Sequence, residues 1–246
     1  MDFDYIKKKS FSELVEIGNE LKLENIHTLS KKELIEKIIK CFKEYEDYIN
    51  SKNEYKKIKR IGNKGKEGIT YLVSDKNNKK YAMKTFKKNK SVKNIETEVN
   101  LQKLASKKGI CPKIYDFDII NNNIVMDLMD EHLMDMMERQ NGNLTENQQK
   151  EIINIFKKLD ETNVFHGDSN ILNYMLKDGK IYIIDFGMSK LIDDKLKKKL
   201  KEEKINYNLM NLGFILKLKE LKCPESSYSY LLKQVSNENK KKYNLI

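Results

Sequence analysis

Residues 166–173 read HGDSNILN, and residues 181–187 read IYIIDFG. Asp168 precedes Asn173 by five positions, and Asp185 is followed directly by a phenylalanine and a glycine. Phosphoryl transfer from ATP needs a carboxylate to orient the attacking hydroxyl, together with an amide oxygen and a second carboxylate that hold Mg²⁺. The chain supplies these groups in that order. Asp168 is therefore the candidate catalytic residue, and Asn173 and Asp185 are the candidate metal ligands.

Three further pieces lie upstream of these motifs. Residues 61–73, IGNKGKEGITYLV, read as strand, glycine-rich turn and strand, in which glycines let backbone N–H groups approach phosphate oxygens. Residues 81–84, YAMK, read as an apolar strand that ends in Lys84. Residues 93–105 read as a helix, whose predicted buried positions are Val99, Leu101 and Leu104.

From about Tyr55 onward, these pieces in this order resemble the protein kinase-like superfamily. The resemblance implies an α+β, bilobal fold with a reduced C-terminal lobe, ATP and Mg²⁺ as cofactors, and a catalytic domain over residues 51–246. It implies that Lys84 pairs with the α/β-phosphates and that Glu98, with Glu96 as the alternative, holds the lysine in place. The implied ATP-binding residues are Gly62, Gly65, Gly68, Thr70, Ala82, Lys84, Met126, Asp127, Met129 and Met175.

The sequence departs from the common kinase pattern in several places. The glycines are spaced GxxGxxG, Gly167 replaces the arginine of the catalytic loop, and Asn170 replaces a lysine. No APE follows the DFG; instead a charged helical run covers 191–204, and a helix starting at Asn208 carries asparagine where kinases have aspartate. A glycine at 167 removes the charge that clasps a phosphorylated activation loop.

In these departures the chain resembles the RIO kinases and the small kinase of the KEOPS complex. It also resembles, in part, the aminoglycoside and choline phosphotransferases. An atypical serine/threonine protein kinase is the favoured interpretation. A small-molecule phosphotransferase and a kinase-like ATPase are alternatives within enzymes. A pseudokinase scaffold is the alternative from another class, favoured by the irregular glycine spacing and disfavoured by the four intact residues Lys84, Asp168, Asn173 and Asp185.

The first fifty residues read as a separate helical hairpin. Ser10 with Glu13 and Ser30 with Glu33 form two capping boxes, each opening an amphipathic helix, and residues 22–29 read as an extended connection. The segment 12–38 resembles SAP-like and Rho-N-terminal-like modules, many of which bind nucleic acid. The predicted buried positions are Leu14, Val15, Ile17, Leu21, Leu34, Ile35, Ile38, Ile39 and Phe42.

The charge of the chain is unevenly distributed. Residues 1–50 hold 9 basic and 11 acidic residues, residues 51–100 hold 15 and 5, and residues 101–246 hold 24 and 21. A solvated, lysine-rich surface is the simplest explanation of the excess of basic residues in 51–100. The functional alternative is that the small lobe docks an acidic partner or nucleic acid. A protein substrate is expected as a separate partner. The slight acidity of the hairpin argues against direct phosphate contact there.

Other features of the composition limit the setting of the protein. No apolar run is long enough to span a bilayer, and no secretory signal is visible at the N-terminus. A cytoplasmic location is therefore expected (the host cytoplasm or the virion for a viral protein), with the nucleus as the alternative, and no membrane partner is expected. Three dispersed cysteines, Cys41, Cys111 and Cys223, indicate a reducing compartment. The abundance of lysine, asparagine and isoleucine fits an A/T-rich genome, such as that of a large DNA virus or some protists.

Overall fold

The computed structural model of the protein describes residues 3–51, 54–62, 67–119 and 121–245. The chain divides into two compact units, Met1–Glu54 and Tyr55–Ile246. The N-terminal unit is helical, and the larger unit combines an antiparallel sheet with helices, so the predicted α+β class is confirmed. Within these described residues, no helix is both long enough and apolar enough to cross a membrane.

The N-terminal unit folds around the two predicted helices. Ser10 accepts a hydrogen bond from the Glu13 N–H while the Glu13 carboxylate accepts from the Ser10 N–H, and Ser30 with Glu33 repeats the arrangement. Both capping boxes are therefore confirmed. The helices of this unit are α1 (Asp4–Lys7), α2 (Phe11–Glu20) and α3 (Lys31–Ser51).

The core of the N-terminal unit consists of the predicted apolar stripes with two additions. Leu14, Leu34 and Ile38 are buried, and the remaining predicted positions pack against them partly buried. Ile6 and Ile26, which the helical periodicity did not select, are also buried. The expected extended connection is wrong, because residues 26–28 form a 3₁₀ turn that places Ile26 in the core.

A five-stranded antiparallel sheet with one helix forms the small lobe of the larger unit. The sheet order is β1-β2-β3-β5-β4, so β3 is central and its neighbours β2 and β5 flank it. The helix α4 packs Ile95 and Val99 against Phe86 of β3. These elements are β1 (Lys56–Ile61), β2 (Gly68–Ser74), β3 (Lys80–Phe86), α4 (Val92–Ser106), β4 (Ile114–Asp118) and β5 (Asn123–Met126).

The large lobe is mainly helical and carries the catalytic-loop segments in short strands and turns. Its longest helix is capped by Thr145 and Gln148 in a third capping box. The elements are β6 (Glu131–His132), α5 (Leu133–Arg139), α6 (Glu146–Glu161), β7 (Val164–Phe165), β8 (Tyr174–Lys177), β9 (Lys180–Ile183), β10 (Lys190–Leu191), α7 (Asp194–Leu200), α8 (Asn211–Glu220), α9 (Ser229–Lys233) and α10 (Asn237–Lys242).

Three aromatic rings form the centre of the large-lobe core. Phe214 of α8 lies edge-to-face against Tyr174 of β8, with ring centroids 5.0 Å apart, and against Phe156 of α6 at 6.4 Å. Tyr174 directly follows Asn173, the candidate metal ligand. The packing of Phe214 against Tyr174 therefore fixes the residue that directly follows the catalytic loop.

We expect Phe214→Ala to lower the free energy of unfolding by about 3–5 kcal/mol, because it leaves a cavity between two aromatic rings. Phe214 is 0% exposed, whereas Leu221, one residue past the end of α8, is 42% exposed. Urea denaturation of the whole protein measures the change. Leu221→Ala is the matched control and should cost less than about 1 kcal/mol. Equal effects of the two substitutions would contradict this account of the core.

Candidate functional site

A buried ion-pair cluster joins the small lobe to the segment after β9. The Lys84 Nζ lies 2.6 Å from Glu98 Oε1 and 3.1 Å from Asp185 Oδ1. The Glu98 side chain is 2% exposed, and the alternative partner, Glu96, lies exposed on the opposite face of α4. The central strand β3, helix α4 and the DFG segment thus bring three predicted site residues together.

Burial and charge act in opposite directions on this cluster. Burial alone would lower the pKa of the Lys84 ammonium, but Glu98 and Asp185 outweigh it and raise the pKa above its ordinary value. Burial alone would raise the pKa of the Asp185 carboxyl, but the charge and hydrogen bond of Lys84 lower it. Both side chains therefore carry full charge at neutral pH.

Two residues that the sequence analysis did not place in the site complete the cluster. Lys90 Nζ lies 2.6 Å from Glu98 Oε2 and 2.5 Å from Glu67 Oε2. The expectation of a solvated surface lysine is wrong for Lys90, whose side chain is only 12% exposed. No sequence signal distinguishes it from its neighbours Lys87 and Lys88, because the turn between β3 and α4 alone directs it inward.

A cavity of about 400 Å³ opens beside this cluster, between α4 and the DFG turn. Most of the residues that line it are polar or charged. The lining residues are Glu67, Lys87, Asn89, Lys90, Asn94, Thr97, Glu98, Phe186, Gly187 and Ser189.

The catalytic loop is shaped by its own polar side chains. The Asp168 carboxylate accepts a hydrogen bond from the Asn170 N–H at 3.0 Å. The Asn170 side chain in turn accepts a hydrogen bond from the Leu172 N–H at 3.1 Å. The backbone carbonyl of Asn170 accepts one from the Asn173 N–H. The short side chain at position 170, where many kinases have lysine, is thus a turn-forming residue in this protein.

His166 connects the catalytic loop to the segment that carries Asp185. Its Nδ1 and Nε2 each lie 3.0 Å from a carbonyl oxygen, one of Asp168 and one of Ile184. The ring is fully buried and lies edge-to-face against Phe186 at 5.0 Å. Burial lowers the pKa of His166, so the ring is neutral at pH 7. The sequence analysis did not give this histidine a role.

Gly167 is required by the backbone at the position where kinases carry arginine. Its φ is +81°, a region that L-residues rarely adopt. A Cβ at this position would also meet the carbonyl oxygen of Met188 at 2.9 Å. The absence of arginine is therefore a consequence of how closely the two loops approach.

The candidate metal ligands fit Mg²⁺ by their chemistry. Asp185 and Asn173 offer carboxylate and amide oxygens, which Mg²⁺ prefers. The Ile184 N–H donates to the Asn173 carbonyl at 2.8 Å, so Asp185 follows directly on a residue that is paired with Asn173. The buried Nδ2 of Asn173 has no hydrogen-bond partner in the described part of the chain, so this amide is not committed to the lobe.

Comparison with known proteins agrees with this geometry. The model of the protein kinase domain matches residues 55–210, well over half of the chain. The chain belongs to the protein kinase domain family. The N-terminal residues 5–41 match the Rho termination factor, N-terminal domain, which is consistent with the resemblance seen in the sequence.

Two curated proteins are similar to part of this kinase-family chain. The EKC/KEOPS complex subunit bud32 of Dictyostelium discoideum is 31% identical over 131 residues, covering 50% of this chain and 52% of that protein. The KEOPS complex subunit Bud32 of Pyrococcus abyssi (strain GE5 / Orsay) is 26% identical over 127 residues, covering 51% and 58%. The chain thus spans about half the length of the curated relatives it matches.

The glycine-rich turn of the kinase domain is only partly described. Gly62 has a φ of +68°, whereas Gly65 lies outside the described residues. A Cβ on Gly68 would collide with the Thr85 carbonyl of β3. Gly68 therefore permits close pairing of β2 with β3, a structural role separate from the predicted phosphate contact. Thr70 lies directly opposite Lys84 in the same pair of strands.

The predicted adenine-binding residues lie in several elements. Ala82 pairs with Met126 across β3 and β5, while Met175 pairs with His132 of β6, and Met129 is buried. Asp127 is already well bonded within the domain. Its N–H donates to the Lys113 carbonyl, and its carboxylate accepts from the Lys113 N–H, the Tyr115 hydroxyl and the Lys177 ammonium.

A buried asparagine holds the catalytic loop from the side of α8. The helix expected to start at Asn208 begins earlier, with a π-helical turn over Asn206–Met210. Asn206 Oδ1 accepts from the His166 N–H at 3.1 Å, and its Nδ2 donates to the Asp160 carboxylate and the Val164 carbonyl. Burial raises the pKa of Asp160 despite these bonds.

We expect the free energy of unfolding to fall between pH 7.5 and 5.5 because of His166. The unfolded histidine binds a proton near pH 6.5, whereas burial holds the folded pKa lower. This stability is therefore fully present above pH 6.5 and is lost as the pH falls toward the folded pKa, by up to about 1.4 kcal/mol per pH unit.

Urea denaturation at a series of pH values checks this expectation. The difference between wild type and His166→Gln isolates the one residue, because His27 and His132 are common to both proteins. A difference in unfolding free energy that stays constant across the range would show that His166 is not held neutral.

Proposed function

We propose that this chain transfers the γ-phosphoryl group of ATP to a hydroxyl group of a protein substrate, as an atypical serine/threonine protein kinase. The observation that most supports the proposal is the buried Lys84–Glu98 ion pair, with Asp185 3.1 Å from the same ammonium. Such a pair is costly to bury without a function or a tight geometry. It is the arrangement that fixes a lysine for binding nucleotide phosphates.

The residues of the site have complementary roles in this proposal. Lys84, braced by Glu98, binds the α/β-phosphates of ATP. Asp168 orients the acceptor hydroxyl and accepts its proton as the new oxygen–phosphorus bond forms and the bond to the leaving β-phosphate oxygen breaks. Asn173 and Asp185 would hold Mg²⁺, which neutralises charge on the phosphates when bound. Catalysis is thus positioning and charge compensation.

The similarity to the Bud32 proteins supports a protein kinase-like phosphotransferase over a small-molecule phosphotransferase. A kinase-like ATPase uses the same residues, with water in place of the acceptor hydroxyl. Asp168 then orients the water, so the two activities share one site and differ only in the acceptor. A scaffold without catalysis would have no chemical use for Lys84, Asp168, Asn173 and Asp185 together.

We expect Asp168→Asn to reduce phosphoryl transfer or ATP hydrolysis by at least about 100-fold, because an amide cannot accept the proton of the acceptor. ATP affinity should change little, since this carboxylate contacts the acceptor and not the nucleotide. Radiolabelled γ-phosphate transfer and calorimetric Mg·ATP binding measure the two effects. Ser169→Ala, in the same loop, is the control. Equal transfer by wild type and Asp168→Asn would refute the assignment.

The partners of the protein belong to the same proposal. The Dictyostelium and Pyrococcus relatives are named as complex subunits, which supports a protein partner for this chain. A second binding function is favoured by the edge strand β1, in which the side chains of residues 56–60 are exposed and four are basic. This strand fits an acidic partner or the phosphate backbone of a nucleic acid.

Cation–π contacts hold one lysine of β1 and one lysine of the turn between β2 and β3. Lys57 lies 4.5 Å from the ring centroid of Tyr71, and Lys79 lies 5.3 Å from Tyr81 and 5.5 Å from Tyr115. Because lysines already cover these rings, stacking of bases on them is not expected. Any attraction to nucleic acid should come from phosphate contacts and depend steeply on salt.

We expect reversal of Lys56, Lys57, Lys59 and Arg60 to glutamate to weaken RNA binding at least about 10-fold at low salt, with little effect on phosphoryl transfer. Filter binding at 50 and 200 mM salt is the measurement. Reversal of Lys195, Lys198, Lys199 and Lys201 in and just after α7 changes the charge equally and is the control.

Deletion of residues 1–48 should leave phosphoryl transfer largely unchanged. Binding retained by the β1 variant, or carried wholly by residues 1–48, would place the surface elsewhere.

A further inference from the structure

Glu98 holds two lysines rather than one. Lys84 bonds its Oε1 and Lys90 bonds its Oε2, each at 2.6 Å. The two ammonium groups also lie at the same distance, 4.8 Å, from the ring centroid of Phe86. One buried carboxylate is therefore shared between a lysine of the sheet and a lysine of the turn that precedes α4.

The second partner of Lys90 belongs to the glycine-rich turn. Glu67 lies immediately before Gly68, and its backbone carbonyl accepts a hydrogen bond from the Lys87 N–H at 2.9 Å. Its carboxylate bonds Lys90 and lies above Gly187, where a Cβ would approach Glu67 Oε2 to 2.5 Å. Main chain and side chain together hold Glu67 against both the β3–α4 turn and the DFG turn.

Lys90 supplies half of the positive charge that opposes the carboxylates of this cluster. Carboxylate oxygens of Glu67, Glu98 and Asp185 lie within 4.8 Å of one another. Two ammonium groups, on Lys84 and Lys90, oppose these three negative charges. If Lys90 were removed, Lys84 alone would face three carboxylates, and Glu67, now 3.8 Å from Lys84, would lose its nearer partner.

We propose that Lys90 is a positioning residue for nucleotide binding. It engages Glu67 and one oxygen of Glu98, which leaves Lys84 available to the anionic phosphates of ATP. Through Glu67 it also holds the start of β2 over the DFG turn. The first part of this inference rests on the proposed ATP-dependent transfer, whereas the second part, the Glu67–Lys90 latch, concerns the protein without nucleotide.

Substitution of Lys90 tests the effect on the nucleotide. In Lys90→Met the freed Glu67 carboxylate competes with ATP for Lys84, so KM for ATP should rise at least about 10-fold, with a smaller change in kcat. Lys90→Arg keeps the charge and should restore most of the affinity. Lys88→Met, at an exposed position two residues away, is the matched control and should behave as wild type.

A second substitution separates competition by Glu67 from general damage to the site. Adding Glu67→Gln to Lys90→Met removes the competing carboxylate, so KM for ATP should return to within about threefold of wild type. A general structural defect would instead persist or deepen in the double variant. An unchanged KM in folded Lys90→Met, or no recovery in the double variant, would overturn the nucleotide part of the inference.

Hydrogen exchange of the nucleotide-free protein tests the latch independently of catalysis. Backbone amides at Gly68–Thr70 should exchange at least about fivefold faster in Lys90→Met and in Glu67→Gln, and at the wild-type rate in Lys88→Met. Glu67→Gln retains Lys90 and carries this test if Lys90→Met fails to fold. Unaltered exchange would overturn the latch. If the wild type transfers no phosphate while exchange responds as expected, the proposed function fails and the latch stands.

Discussion

The catalytic half of the larger unit depends on the position of one buried imidazole. His166 lies between the carbonyls of Asp168 and Ile184, receives support at its N–H from Asn206, and accepts at its carbonyl from the Ser189 hydroxyl. Because a neutral ring can donate only one hydrogen bond, one of its two carbonyl contacts lacks a shared proton. The packing of Phe186 and the backbone pairing around it hold the ring in place instead.

The small lobe follows a different physical rule, in which opposite charges keep each other buried. Glu98 would be unstable in its position with no cation, and two lysines supply the compensation from two sides. This arrangement makes the cluster sensitive to any group that carries further negative charge into it. A nucleotide brings several such charges, so the distribution of the lysines decides how much attraction remains for the phosphates.

Much of the fold was predictable because the sequence marks it locally. Ser10, Ser30 and Thr145 begin helices with side-chain caps, and the apolar spacing of α2 and α3 identifies their buried faces. The order of the kinase motifs located Lys84, Glu98 and Asp185. Lys90 and Glu67 could not be found in this way, since their roles arise from a turn that brings distant charges together.

Other differences have equally specific causes. The connection after α2 was expected to be extended, yet Lys22 and Asn25 adopt positive φ and turn the chain back, which buries Ile26. Asn208 was expected to begin the later helix and to stand where kinases have aspartate. The helical segment instead begins with a π-helical turn at Asn206, and it is Asn206 that bonds the catalytic loop.

The geometry at Gly167 limits how this protein can diverge. A single codon change to arginine would meet both a backbone region that L-residues rarely adopt and the Met188 carbonyl, so control by a phosphorylated segment is not one mutation away. Both loops would have to move apart before such a residue was tolerated. With this backbone, the segment after the DFG has no cationic side chain at position 167 to hold it.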